Sequence, residues 1–88
     1  MPTNIHWTGK AIKDLRSLPS KDQKAVRVKV NAMQSYPDLK GLDVKKLTDS
    51  DGQYRLRVKS YRVLYTLSNN APVVIEIQRI MRRTSTTY

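Results

Sequence analysis

Three arginines of this 88-residue chain, Arg55, Arg57 and Arg62, are placed where their guanidiniums could converge on an anion. In the run Tyr54, Arg55, Leu56, Arg57, Val58 the arginines alternate with apolar residues. A strand with a side-chain period of two therefore puts both guanidiniums on one face. Arg62 follows in a second run of this kind, from Tyr61 to Tyr65. If Lys59 and Ser60 form a two-residue turn, Val58 pairs with Tyr61 and Arg57 faces Arg62 directly. Like charges so placed destabilise a sheet that binds nothing. Two converging guanidiniums suit a phosphate, whose oxygens accept paired N–H donors. The competing reading is a solvated basic face with no ligand. Because an arginine keeps its proton at any ordinary pH, Arg55 and Arg57 can bind and neutralise phosphate but cannot serve as a general base.

The charge of the whole chain points the same way, with seventeen lysines and arginines against seven acidic residues and a net charge of +10. Nucleic acid is the commonest anionic partner for such a field, since each neutralised phosphate releases counterions. Solubility alone is the plainer alternative. Anionic lipid fits poorly, because no segment joins a basic face to a broad leucine-rich or aromatic one. The absence of cysteine excludes disulfides and thiolate metal sites and points to a reducing cytoplasm. The single histidine, His6, and scattered aspartates offer no metal-ligand spacing, so neither a metal nor another cofactor is expected. His6 alternates with Ile5 and Trp7 and reads as a surface or sheet residue, not a proton shuttle. Short apolar runs and the plain N-terminus predict no membrane span and no export signal.

The length provides for one compact domain, 1–88, with one core to position these residues. Residues 4–8 alternate as a half-buried strand, with Ile5 and Trp7 inward. Ala11, Ile12, Leu15 and Leu18 recur at helical spacing, with Thr8 or Gly9 as cap and Pro19 as stop. Ser20 and Gln23 have the spacing of a capping box that would open a second helix, which ends at Tyr36 before Pro37. Residues 26–30 alternate like a strand, but the distance from cap to proline favours a helix that buries Val26, Val30 and Met33 with Ala25 and Ala32 beside them. Residues 37–52 read as a connection anchored by Leu42, Val44 and Leu47, with a turn at Asp49, Ser50, Asp51 and Gly52. Three strands follow, near 53–59, 61–67 and 73–79, joined by turns short enough for antiparallel neighbours. The expected fold is α+β: an N-terminal strand, two helices, then an antiparallel three-strand meander, with the helices packed on one face of the sheet. Trp7 and Tyr65 are expected in the core, while Tyr36 and Tyr61 could also stack on bases.

This order, with Leu47, the runs at 54–58 and 61–65 and the segment from Arg82 to Tyr88, resembles the RelE branch of the RelE/ParE toxin superfamily over nearly the whole chain. The resemblance implies the toxin of a type II toxin–antitoxin system, a metal-independent endoribonuclease that cuts mRNA in the A site of the 70S ribosome. It implies attack by a ribose 2′-hydroxyl on the adjacent phosphorus, which leaves a cyclic phosphate and releases a 5′-hydroxyl. It also implies a cognate antitoxin as the neutralising partner, and neither a membrane nor a small-molecule cofactor. On the family pattern, Arg62 stabilises the pentavalent phosphorane. Arg82, six residues before the terminal tyrosine, sits near the scissile phosphate or leaving oxygen, with Arg79 and Arg83 as helpers. Tyr88 stacks on a base and exchanges a proton. The expected catalytic set is therefore Arg57, Arg62, Arg82 and Tyr88, and the phosphate-binding set Arg55, Arg57, Lys59, Arg79 and Arg83. Two alternatives stand beside it: a ParE-like inhibitor of DNA gyrase, and a basic RNA-binding domain without catalysis.

Overall fold

The computed structural model describes residues 3–47, 52–68 and 72–82. The elements are β1 (Thr3–Trp7), α1 (Gly9–Arg16), α2 (Ser20–Ala32), a 3₁₀ turn (Met33–Ser35), β2 (Asp43–Lys46), β3 (Gln53–Val58), β4 (Tyr61–Ser68) and β5 (Val73–Arg82). One five-stranded sheet has the order β1-β5-β4-β3-β2. It is antiparallel except that β1 runs parallel to β5, with Ile5 opposite Ile75 and Trp7 opposite Ile77. The expected α+β layering is present.

The inner face of the sheet carries Leu56, Val58, Tyr61, Val63, Tyr65, Ile75, Ile77 and Ile80, all buried, against Ala11 and Leu15 of α1 and Val26 and Val30 of α2. In a strand, Val26, Val28 and Val30 would share one face. Here Val26 and Val30 are fully buried while Val28 is 58% exposed, the separation that a 3.6-residue period produces. Ala32, expected beside the stripe, is exposed, because the chain tightens into the 3₁₀ turn and rotates Met33 into the core instead.

The α1 cap is the expected one. Thr8 Oγ1 accepts from Ala11 N at 3.2 Å and donates to Ile77 O at 3.0 Å, so one hydroxyl both starts the helix and ties it to β5. The capping box of α2 does not form. Ser20 is already helical, and Pro19 stands at the cap, its carbonyl accepting from Asp22 N and Gln23 N at 2.9 Å each. Gln23 then turns back to donate to Leu18 O at 2.8 Å. Ser20 lies one residue too late to cap.

The connection expected at 37–52 contains a strand. β2 pairs with β3, with Asp43 opposite Arg57 and Lys45 opposite Arg55, while Val44 packs on the core. Four residues of mostly charged sequence carry too little alternation to stand out, and the pairing is favoured by Asp43 against Arg57 and Val44 against Leu56, with Lys45 facing Arg55 at a like-charge cost. The β3–β4 turn has the expected register, and Lys59 adopts a left-handed φ of 53°, which costs a residue with a Cβ roughly 1–2 kcal/mol.

β5 is longer than expected and irregular. Leu64 lies opposite Arg79 and Tyr65 opposite Ile77, which leaves Gln78 as a bulge. Just beyond it, Asp14 Oδ2 of α1 accepts from Arg79 Nε at 2.8 Å and from Ile80 N at 2.9 Å. The Arg79 hydrogen bond, ahead of smaller contributions, holds the Asp14 carboxyl below the usual carboxylate range. A carboxyl whose pKa falls on folding stabilises the fold above its unfolded pKa and loses that contribution as pH falls through its folded value. Asp14→Asn should therefore lower stability at neutral pH and flatten the acid limb, read from urea midpoints between neutrality and about pH 2. Thr8→Val should cost about 1 kcal/mol at all pH values.

Candidate nucleic-acid interface

Alternation along β3 and β4 turns Gln53, Arg55 and Arg57, with Arg62, Leu64 and Thr66, toward the outer face of the sheet, opposite the helices. The cross-strand pair of Arg57 and Arg62 is present. Arg55 is 8% exposed although no helix lies on its side. Arg55 Nη2 stands 3.8 Å from Asp43 Oδ1, and Arg57 Nε 3.7 Å from Asp43 Oδ2. Both are ion pairs beyond hydrogen-bond length, shared by a carboxylate that is 55% exposed. Arg55 Nη1 is buried with no hydrogen-bond partner, a condition that costs roughly 1–3 kcal/mol. Arg62 is exposed and, among the described residues, has no carboxylate within ion-pair distance. Two guanidiniums thus share one loosely held carboxylate while the third faces none, and an oxyanion with several lone pairs would satisfy what Asp43 does not.

The remaining expected residues stand elsewhere. Arg82 lies opposite Tyr61 with its guanidinium carbon 5.8 Å from the centre of that ring, on the helix side of the sheet. The bulge at Gln78 is the cause. Counting by twos from Ile75 and Ile77 would send Arg82 to the outer face, and one extra residue reverses it. Arg82 walls an open cleft of about 430 Å³ with Ser17, Leu18, Pro19, Tyr61 and Ile80. Tyr61 is core, 3% exposed, and its phenol donates to Asp22 Oδ2 at 2.7 Å while Lys59 Nζ lies 3.6 Å from Asp22 Oδ1. The Tyr61 hydrogen bond, aided by Lys59 and Arg82, pulls the Asp22 carboxyl down, and the same bond pushes the Tyr61 phenol up. Arg79 is committed to Asp14. Arg83 and Tyr88 lie outside the described residues.

The sequence reading missed Asp14, Asp22 and Asp43, the three carboxylates that hold Arg79, Lys59 and the pair Arg55 and Arg57, since nothing local marks any of them. Tyr65 stacks on Tyr54 at 5.4 Å, and burial pushes its phenol up to about 12, so it is no proton shuttle near neutrality. Among the described residues, no three histidine, aspartate or glutamate side chains gather as a metal site, and no helix is long and apolar enough to cross a membrane. The arrangement can bind and neutralise a phosphodiester. Its cations should cost the fold accordingly: Arg62→Thr should raise stability by about 0.5 kcal/mol at low salt, with the gain shrinking as salt screens the pair. Equal or lower stability in denaturant titrations at low ionic strength would overturn that account.

Comparison with known proteins agrees with this architecture. Residues 5–86 match the family described as the ParE toxin of the type II toxin–antitoxin system, parDE. The chain is 31% identical over 84 residues to a curated Methanocaldococcus jannaschii chain named RelE1, covering 94% of this chain and 92% of that one. A chain of the archaeal RelE–RelB complex from Pyrococcus horikoshii superposes with a TM-score of 0.80 at 25% identity, covering 98% of this chain and 100% of that one. The isolated E. coli RelE toxin shares the fold, with a TM-score of 0.76 at 18% identity over 94% of this chain and 86% of that one. The chain belongs to the RelE/ParE family of toxins of type II toxin–antitoxin systems.

Proposed function

We propose that this toxin is a RelE-type endoribonuclease that cuts mRNA in the ribosomal A site, in the cytoplasm, with its whole length acting as one domain. The observation that carries this reading is the outer-face cluster, in which Arg57 opposes Arg62 and buried Arg55 keeps an unpartnered Nη1. Such a cluster favours a phosphate that gains charge in the transition state. The 2′-oxygen forms a bond to the adjacent phosphorus as the bond to the 5′-oxygen breaks. The 2′-proton passes to a base and the departing oxygen receives one. Arg55, Arg57 and Arg62 neutralise the non-bridging oxygens, and none of them can take the 2′-proton. On this reading the ribosome holds the message for in-line attack and Tyr88 acts at the flanking base, while Arg82, turned to the helix side over Tyr61, stands away from this phosphate.

A cognate antitoxin is the proposed partner. The Pyrococcus horikoshii chain was solved as a RelE–RelB complex, and a chain of net charge +10 favours an acidic cover. A second reading, inhibition of DNA gyrase, is favoured by the parDE description of the matched family.

Mapping the 5′ ends of message on ribosomes should show cuts in A-site codons, much faster than on the same RNA free in solution. Arg62→Ala should slow cutting by about 10²-fold or more. Equal rates on free and ribosome-bound RNA would sink the ribosome-dependent reading. Loss of gyrase supercoiling with message left intact would replace it with the second.

A further inference from the structure

The outer face of the sheet has a second half with different chemistry. A row of side chains crosses it from strand to strand: His6 opposite Glu76, Glu76 opposite Thr66, and Thr66 opposite Gln53. The bulge adds Gln78 to this row. Gln53 Nε2 donates to Gln78 Oε1 at 2.8 Å, and Gln78 Nε2 lies 3.4 Å from Glu76 Oε1. Glu76 stands apart from the other described acids. Asp14, Asp22 and Asp43 each hold a lysine or arginine, and Asp38 accepts from the Lys40 backbone N–H. In a chain of net charge +10, half-buried Glu76 keeps, among the described residues, only one long amide contact. A carboxylate so placed has acceptor capacity to spare, and the amides beside it are pre-ordered by one another.

Gln53 lies two residues from Arg55 on the same face, about 6.7 Å along the strand, and Glu76 lies two strands further across, about 10 Å. A nucleotide whose phosphate sits on Arg55, Arg57 and Arg62 would bring its base over this row. We infer that Glu76, Gln78 and Gln53 form a base-reading subsite, selective for guanine, beside the phosphate-binding arginines. Two acceptor oxygens match the adjacent N1–H and N2–H donors of guanine. Adenine, cytosine and uracil present no such pair, and any base without it leaves the carboxylate facing ring acceptors or a carbonyl. Single-stranded RNA exposes this edge for reading, unlike a duplex. The bulge at Gln78 gives the irregularity in β5 a role, since bulges re-aim side chains at sites. This inference rests on the phosphate-binding reading proposed above.

The test is a titration of the isotope-labelled full chain with guanosine 5′-monophosphate and adenosine 5′-monophosphate, followed by NMR. The signals read are the arginine Nε–H groups and the side-chain amides of Gln53 and Gln78. Arginine signals should move with both nucleotides. The two glutamine amides should move with the guanosine nucleotide, which should bind about tenfold more tightly. Glu76→Gln keeps the size and should abolish the preference while the arginine response persists, and Gln78→Ala should weaken it. Arginine shifts without glutamine shifts, or equal affinity for the two nucleotides, would overturn the subsite and leave phosphate binding standing. Silence from arginines and glutamines alike would overturn both.

Discussion

Packing of α2 against the inner face of the β3–β4 hairpin supports what the other face of those strands carries. Val26 and Val30 of α2 and Met33 of the 3₁₀ turn share one core with Leu56 and Val63 of the hairpin, and all five are fully buried. The residues on the reverse of those two strands are Arg55, Arg57 and Arg62. A hairpin carrying an unscreened arginine pair would not hold its register alone, because cross-strand repulsion and a left-handed Lys59 both work against it. Burial of five apolar side chains at about 1.5–3 kcal/mol each exceeds those penalties. The inner face thus lets the outer face concentrate charge.

The two helices hold the sheet through carboxylates as well as apolar contact. Asp14 of α1 binds the backbone and side chain of β5 just past the bulge, and Asp22 of α2 binds Tyr61 and Lys59 at the hairpin end. Asp43 does a looser version of the same on the outer face. The difference in tightness is informative. Arg79, held at 2.8 Å, is spent on structure, whereas Arg55 and Arg57, at 3.8 and 3.7 Å, retain hydrogen-bonding capacity toward an anion. The family comparisons add that this arrangement sits on the RelE fold, which alone does not assign a reaction.

Local periodicity and charge carry one part of this arrangement. The alternation of 54–58 and 61–65 put three arginines on one face, the helical spacing of Val26 and Val30 separated them from Val28, and Thr8 marked the start of α1. The other part depends on pairings between distant residues. β2 exists because Asp43 meets Arg57 and Val44 meets Leu56 across from it on β3. Arg55 is buried by neighbours that the sequence does not place next to it. Arg82 turns to the helix side because one bulged residue, Gln78, shifts the register after it, and in a sheet a shift of one residue exchanges every side chain between faces. Periodicity says which residues travel together. Only the pairing of strands says which face they reach.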